Sequence, residues 1–209
     1  MTAVDLKREL PGYRARRGRF DVLEIAPQCV VAIDGEGDPN VAVAYREAVE
    51  TLFPLAYALK AIGRRELGRD HVVLPLEGLW DADDRAAFTT RRDKAAWRWT
   101  MLIAQPDWVE EAHLERARAD VAARGRGPAL PLARLEVLDE GLCAQTLHVG
   151  PYDDEGPVLA ELHDRFLPEH GLRPTGRHHE VYLGDARRTA PERLRTILRQ
   201  PVAPAERLP

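Results

Sequence analysis

The sequence is poor in cysteine, in long apolar runs and in surplus charge, and each shortage excludes a class of protein. It holds two cysteines, Cys29 and Cys143, in 209 residues. Two cannot build a disulfide framework, and neither belongs to a CxxC pair or a Cys/His metal cluster. Both lie in apolar runs, which predicts buried, reduced thiols in a cytoplasmic protein. No apolar run approaches the ~20 residues that span a bilayer, so no membrane association is expected. Met1 to Leu10 carries charges where a secretory signal needs an apolar stretch. Lys and Arg number 30 against 34 Asp and Glu, a net charge of −4. The basic excess of a nucleic-acid binder is missing, and no direct nucleic-acid contact is expected. Arg14, Arg16, Arg17 and Arg19 do cluster, in a polar stretch that reads as a solvated arm. HExxH, the P-loop, the Gly-rich dinucleotide fingerprint and GxSxG are all missing too. His178 and His179 are adjacent on a predicted strand, point to opposite faces and cannot easily share a metal. Neither a metal nor another cofactor is implied.

What is present is an ordinary folding composition, 44% hydrophobic and 31% charged, with length enough for a real core. Residues 1–19 read as a loose polar arm broken at Pro11-Gly12. Gln28 to Ile33 is a β-branched strand. The turn-rich Asp34 to Asn40 leads into a helix over about 41–61, with Asp38 or Asn40 as its cap. His71 to Trp80 reads as a bent or edge strand because of Pro75 and Gly78. Asp81 to Lys94 reads as a charged loop. Ala95 to Ile103 alternates as a strand, and Asp107 is expected to cap a charged helix over about 108–124. Residues 125–131 are a linker. Leu132 to Leu138 and Leu142 to Val149 flank Asp139-Glu140-Gly141, the signature of a hairpin. A helix then runs to about Glu169 and ends at Gly171. Strands follow at 178–183 and 194–202, and residues 203–209 form a tail that frays.

The order predicts an α+β fold with a weak internal repeat, strand–helix–strand–strand twice. Module 1 covers about 20–105, a linking helix 107–124, and module 2 about 132–202. The two copies align on a carboxylate. Glu77-Gly78-Leu79-Trp80-Asp81 in the first matches Glu180-Val181-Tyr182-Leu183-Gly184-Asp185 in the second. Two similar glutamates suggest a pseudo-symmetric cleft between the halves.

Period-two alternation puts His178, Glu180 and Tyr182 on one strand face, with His179, Val181 and Leu183 on a mostly apolar other. The first face is either a plain polar surface or, if covered, a site. Trp97, Trp99 and Met101 share a face of their own strand. They are either core packing or the aromatic cover of such a site. Trp80 joins them from beside Glu77. Aromatic walls with a few polar groups suit a planar, hydrophobic ligand. A carboxylate among them would be desolvated and could neutralise a cation or act as acid or base. Tyr152 follows Gly150-Pro151 at a strand-to-helix junction. It either points into the cleft or packs on the helix start. His148 is expected to bond that turn, and Gly150 to meet its backbone need.

Five segments carry a family resemblance. They are IDGEGDPN (Ile33 to Asn40), LPLEGLW (Leu74 to Trp80), DKAAWRWTMLIAQPDWV (Asp93 to Val109), LHVGPYDDEGP (Leu147 to Pro157) and HHEVYLGDARRTAPERLRTILRQPV (His178 to Val202). In this order they resemble the stand-alone GyrI-like small-molecule-binding proteins over about residues 5–202. The resemblance implies two strand–helix–strand–strand modules about a pseudo-twofold, with the ligand in the groove between them. Related domains sense drugs in multidrug-responsive transcription regulators, where a buried glutamate meets cationic, aromatic ligands. No helix-turn-helix region precedes the domain, so the chain is not expected to be a regulator by itself. Another relative inhibits DNA gyrase. Some stand-alone members are cyclopropanoid hydrolases that detoxify DNA-alkylating natural products. Glu180 matches the family's acidic position, and Trp80, Trp97, Trp99 and Tyr152 match aromatic positions.

The resemblance therefore implies a hydrolase that opens an activated cyclopropane. Glu180 and Tyr152 would be catalytic. Trp80, Trp97, Trp99, Met101, Glu77, His178 and Tyr182 would hold the ligand. A non-catalytic drug-sequestering protein and a gyrase-inhibitor-like protein are the alternatives. The expected partners are hydrophobic aromatic small molecules, bound by a monomer or a dimer.

Overall fold

The computed structural model describes residues 3–82 and 93–205. Most of the charged loop read over 81–94 and the end of the tail lie outside the described residues. The strands are β1 (Asp21–Ile25), β2 (Gln28–Glu36), β3 (Glu77–Asp81), β4 (Arg98–Ala104), β5 (Arg134–Leu138), β6 (Gly141–Val149), β7 (Leu172–Pro174), β8 (His178–Tyr182) and β9 (Arg195–Pro204). The helices are α1 (Leu6–Glu9), α2 (Val43–Ile62), α3 (Glu111–Ala122), α4 (Gly156–Ala160) and α5 (Leu167–Glu169). A π-helical stretch, Glu161–Phe166, joins α4 to α5.

The strands follow one path, β1-β6-β9-β8-β3-β4-β2-β5, with β7 added against β9. Every pairing of named strands is antiparallel. The path contains the repeat. One module is β2-α2-β3-β4 and the other is β6-α4-α5-β8-β9, and β3 pairs with β8 where they meet. The α+β, two-module fold read from the sequence is the fold observed.

Residues 132–149 depart from the reading. β5 and β6 flank a turn with hairpin chemistry, yet they do not pair with each other. β5, read with the second module, pairs with β2 of the first, and β6 pairs with β1, which lies within the span read as the first module. Each module thus takes its outer strand from the other side of the chain. The exchange covers edges that a local hairpin would leave exposed.

β3 lies between β8 and β4, so it is a central strand and not an edge. Pro75 falls before it, where a missing N–H costs no ladder bond. The linking helix is also capped differently. Glu110 and His113 form a reciprocal cap at the start of α3, and Asp107 does not. No side chain caps α2, and the Asp38 carboxylate accepts the Asn40 backbone N–H instead.

α2 lies over β2 and β4 and buries Leu52, Leu55, Leu59 and Ile62 against a core that includes Ile33, Met101 and Ile103. A smaller cluster, Ala144, Leu162, Leu167 and Val202, lies under α4 and α5. The N-terminal stretch is not a loose arm throughout. Arg14, Arg16, Arg17 and Arg19 are exposed, but Tyr13 is 6% exposed and belongs to the main core. Its hydroxyl donates to Glu77 at 2.6 Å. A phenol can bury its ring if its polar end finds a partner, and here a carboxylate supplies one.

Candidate functional site

The β3–β8 pair forms the floor of a cleft. Gly78 lies opposite Glu180 and Trp80 opposite His178, so alternation brings Gly78, Trp80, His178, Glu180 and Tyr182 onto one face. The polar face read for β8 is the face observed. A short relay of hydrogen bonds crosses it. The Trp80 indole N–H donates to the Tyr182 hydroxyl at 3.1 Å, and that hydroxyl donates to Glu180 Oε2 at 2.8 Å. Gly78 makes room for the relay. A Cβ there would lie 2.9 Å from Trp80 Nε1 and 3.0 Å from the Tyr182 hydroxyl. His178 Nε2 is 3.6 Å from Glu180 Oε1, beyond hydrogen-bond reach, and among the described residues neither ring nitrogen has a hydrogen-bond partner.

The walls come from both modules. Tyr45 of α2 stacks near Trp80 with centroids 6.2 Å apart, and Trp97 meets Trp80 edge-on at 5.5 Å. Tyr152, in the turn before α4, meets Tyr182 edge-on at 5.5 Å. The open groove containing these residues has a volume of about 2610 Å³. Typical small-molecule sites hold ~300–1,000 Å³, so a ligand between the aromatic walls would fill only part of it.

Two aromatic-strand residues assigned to the ligand stand elsewhere. Trp99 is 2% and Met101 0% exposed, and neither lines the groove. Trp99 packs edge-on to Tyr45 at 5.3 Å and lies over Gly35, where a Cβ would come within 2.1 Å of its ring. α2 covers these side chains, so core packing is their role. Trp97, just before β4, lies beyond that cover and lines the groove.

Glu77 is also displaced. It pairs with Val181, one register position from Glu180, and therefore faces the other side of the sheet. A one-residue offset in aligning the repeats is enough to put a side chain on the wrong face. There Glu77 is 2% exposed and accepts hydrogen bonds from Tyr13 and from His179 Nε2, the latter at 2.9 Å. His179 Nδ1 lies 2.9 Å from Glu140, which also accepts from Arg199 Nη1 at 2.8 Å. Arg199 Nη2 in turn donates to the Gly12 carbonyl at 2.7 Å. The face read as mostly apolar thus contains a buried, charge-balanced network directly behind the cleft. Burial works to lower the His179 pKa, but Glu140 and Glu77 outweigh it and raise it. The same contacts overcome burial at Glu140 and hold its carboxyl down to about 2.

The cleft has a second carboxylate, Glu155, which the sequence reading did not single out. It follows Asp153 and Asp154, and a run of three acids reads as a solvated surface. Yet Asp153 and Asp154 are exposed and Glu155 is buried, lining the groove. Burial, then the charge of Glu180, pushes its carboxyl far above the usual range. Burial and then Glu155 and Glu180 push the Tyr152 phenol up to about 12, and burial and Glu180 raise Tyr182 further. His148, read as bonding the turn, does so, with Nε2 3.0 Å from the Pro151 carbonyl. Gly150 has φ +145°, which favours glycine.

Cys29 and Cys143 are free thiols, and burial raises them to about 11 and about 12. Among the described residues no group of three or more His, Cys, Asp or Glu could hold a metal ion. Among them, too, no helix is long and apolar enough to cross a membrane.

Residues 19–203 match the family model of the GyrI-like small molecule binding domain. An uncharacterized conserved protein from Listeria innocua superposes with a TM-score of 0.85 at 35% identity, over 96% of this chain and 100% of that one. A structure named as a hydrolase from Listeria innocua gives 0.81 at 33% identity, over 96% and 100%. The C-terminal domain of EcmrR gives 0.56 at 11% identity, over 90% and 98%, a likeness of fold alone. Comparison with curated proteins finds no match. With its paired modules, its aromatic cleft and a family match over most of its length, the chain belongs to the GyrI-like small-molecule-binding domain family.

Proposed function

We propose that this protein binds planar, hydrophobic small molecules over β3 and β8 and hydrolyses a cyclopropane fused to a conjugated dienone. The observation that carries the reading is Glu180, held by the Tyr182 hydroxyl at 2.8 Å within walls of Trp80, Trp97, Tyr45 and Tyr152. The hydrolase name of a relative at 33% identity supports the reaction class.

The flat substrate stacks on the aromatic walls. Glu180 removes a proton from water, and the new C–O bond forms at the ring methylene. The ring C–C bond breaks, and its electron pair moves through the dienone to the carbonyl oxygen as the ring system aromatises. Protonation of that oxygen completes the addition of one water. Tyr182 already gives its hydrogen to Glu180, so its part is to orient the base. Tyr152 faces the cleft and donates a hydrogen bond to the carbonyl. Ring strain and aromatisation supply much of the drive, and general-base catalysis adds about 10²–10⁴-fold.

The test is to incubate purified protein with a cyclopropane-fused dienone and follow loss of the dienone absorbance and gain of one water by mass. Turnover that Glu180→Gln abolishes supports the reading. Binding of the compound without product supports the second reading, sequestration, for which the aromatic walls alone suffice.

A further inference from the structure

The reaction leaves one requirement open, the source of the proton that the carbonyl oxygen takes up. Tyr152 is poorly suited to supply it. Burial and the charges of Glu155 and Glu180 raise its phenol to about 12, which favours donating a hydrogen bond over releasing the proton. His178 has no hydrogen-bond partner among the described residues to fix its ring toward a substrate oxygen.

Glu155 has the right placement. It is 5% exposed and lines the same groove as Glu180 and Tyr152. It stands at the start of α4 and makes no cap bond to the helix. Among the described residues its buried Oε1 has no partner within hydrogen-bond geometry. The charges acting on it most strongly are Glu180 of β8 and Asp153 of its own turn, both negative, while the Thr196 hydroxyl of β9 is close enough to favour the ionised form and only partly offsets them. Tyr152 and Tyr182 face it as neutral phenols. Among the described residues no cation stands among the groups that act on it most strongly, and a carboxylate buried beside like charges favours its protonated form.

We infer that Glu155 is the proton donor of the cleft, passing its carboxyl hydrogen to the substrate carbonyl oxygen as Glu180 activates the attacking water. This rests on the ring-opening reaction proposed above. One proton moves from water to Glu180 and one from Glu155 to the nascent phenolate. The site ends with Glu180 protonated and Glu155 ionised. Return of a proton from Glu180 to Glu155 through solvent restores the starting state, and the net change is addition of one water. The two acids have opposite tasks because their surroundings differ. Glu180 accepts a hydrogen bond from Tyr182 at 2.8 Å, while Glu155 is buried beside the Glu180 charge.

Three measurements test the assignment with the full-length protein. Infrared difference spectra of wild type and Glu155→Gln at neutral pH should show a protonated-carboxyl band that the variant lacks. Absence of that band overturns the proposal whatever the activity. On a cyclopropane-fused dienone, Glu155→Gln should lower kcat by about 100-fold or more. It should leave KM and the affinity for a planar cationic dye such as ethidium within about threefold. Glu155→Asp should restore part of kcat, and the alkaline limb of the kcat profile should vanish in Glu155→Gln. A loss confined to KM and dye affinity makes Glu155 a ligand-binding group and overturns the donor role. An unchanged kcat does the same. If wild type shows the carboxyl band but opens no ring, the reaction itself falls, and the donor role with it.

Discussion

Tyr182 gives its hydroxyl hydrogen to Glu180 Oε2 at 2.8 Å while accepting the Trp80 indole N–H at 3.1 Å. One side chain therefore sets both the orientation of the carboxylate and the tilt of the indole beside it. A hydrogen bond to a charged group contributes about 1.5–3 kcal/mol, which is roughly 10–100-fold in rate if felt fully in the transition state. Tyr182→Phe should lower kcat on a cyclopropane-fused dienone by that factor, with a small change in denaturation midpoint. A kcat equal to wild type would show that Glu180 needs no such restraint.

Gly78 should behave as a site residue although it has no functional group. Its added Cβ would meet Trp80 Nε1 at 2.9 Å and the Tyr182 hydroxyl at 3.0 Å. Contacts that close force one of the two rings to move. Gly78→Ala should therefore disturb Trp80 fluorescence and cut ring-opening activity at least tenfold. A variant with native fluorescence and rate would mean that the relay tolerates displacement.

The tryptophans should separate into two classes. Trp99 is 2% exposed beneath α2, and large-to-small changes of buried aromatics cost about 3–5 kcal/mol. Trp99→Ala should lower stability by that amount in urea unfolding. Trp97 lines the groove and meets Trp80 at 5.5 Å. Trp97→Ala should weaken binding of planar dyes about tenfold with a far smaller stability loss, since an aromatic contact of this kind contributes about 0.5–1.5 kcal/mol. The reverse pattern would put the binding surface on β4 itself.

Stability should depend on pH from both sides through the network behind the cleft. The His179 pKa is raised above its ordinary 6.5. Its contribution is complete below 6.5 and is lost as pH rises through the higher folded value. Glu140 is held down to about 2 from an ordinary 4.5. Its contribution is complete above 4.5 and is lost as pH falls toward 2. Unfolding free energy should therefore be highest between the two, and His179→Gln should flatten the alkaline slope. An alkaline slope unchanged in that variant would place the titrating group elsewhere.

The modular order was legible because its signals are local. The QCVVAI run, the helix over 41–61 and the alternation of His178, Glu180 and Tyr182 each depend on near neighbours in sequence. What was not legible depends on long-range pairing. Asp139-Glu140-Gly141 has hairpin chemistry, but β5 and β6 each pair with a strand from another part of the chain. Glu77 looked like the partner of Glu180 because both precede an aromatic within three residues. The register that separates their faces exists only once β3 and β8 pair. Trp99 and Met101 have the same alternation in a core as in a cleft, and only the position of α2 decides between them. Glu155 was hidden in an acidic run whose two other members are exposed. Tyr13 gave no sign of its bond to a residue 64 positions away.

The most direct test of the central claim is the rate of water addition to a cyclopropane-fused dienone by wild type and by Glu180→Gln, with ethidium affinity measured on both. The expected result is ring opening by wild type and a loss of about 100-fold or more in the variant, with dye affinity retained within a few-fold. A Glu180→Gln protein that opens the ring as fast as wild type would contradict the assignment of Glu180 as the base.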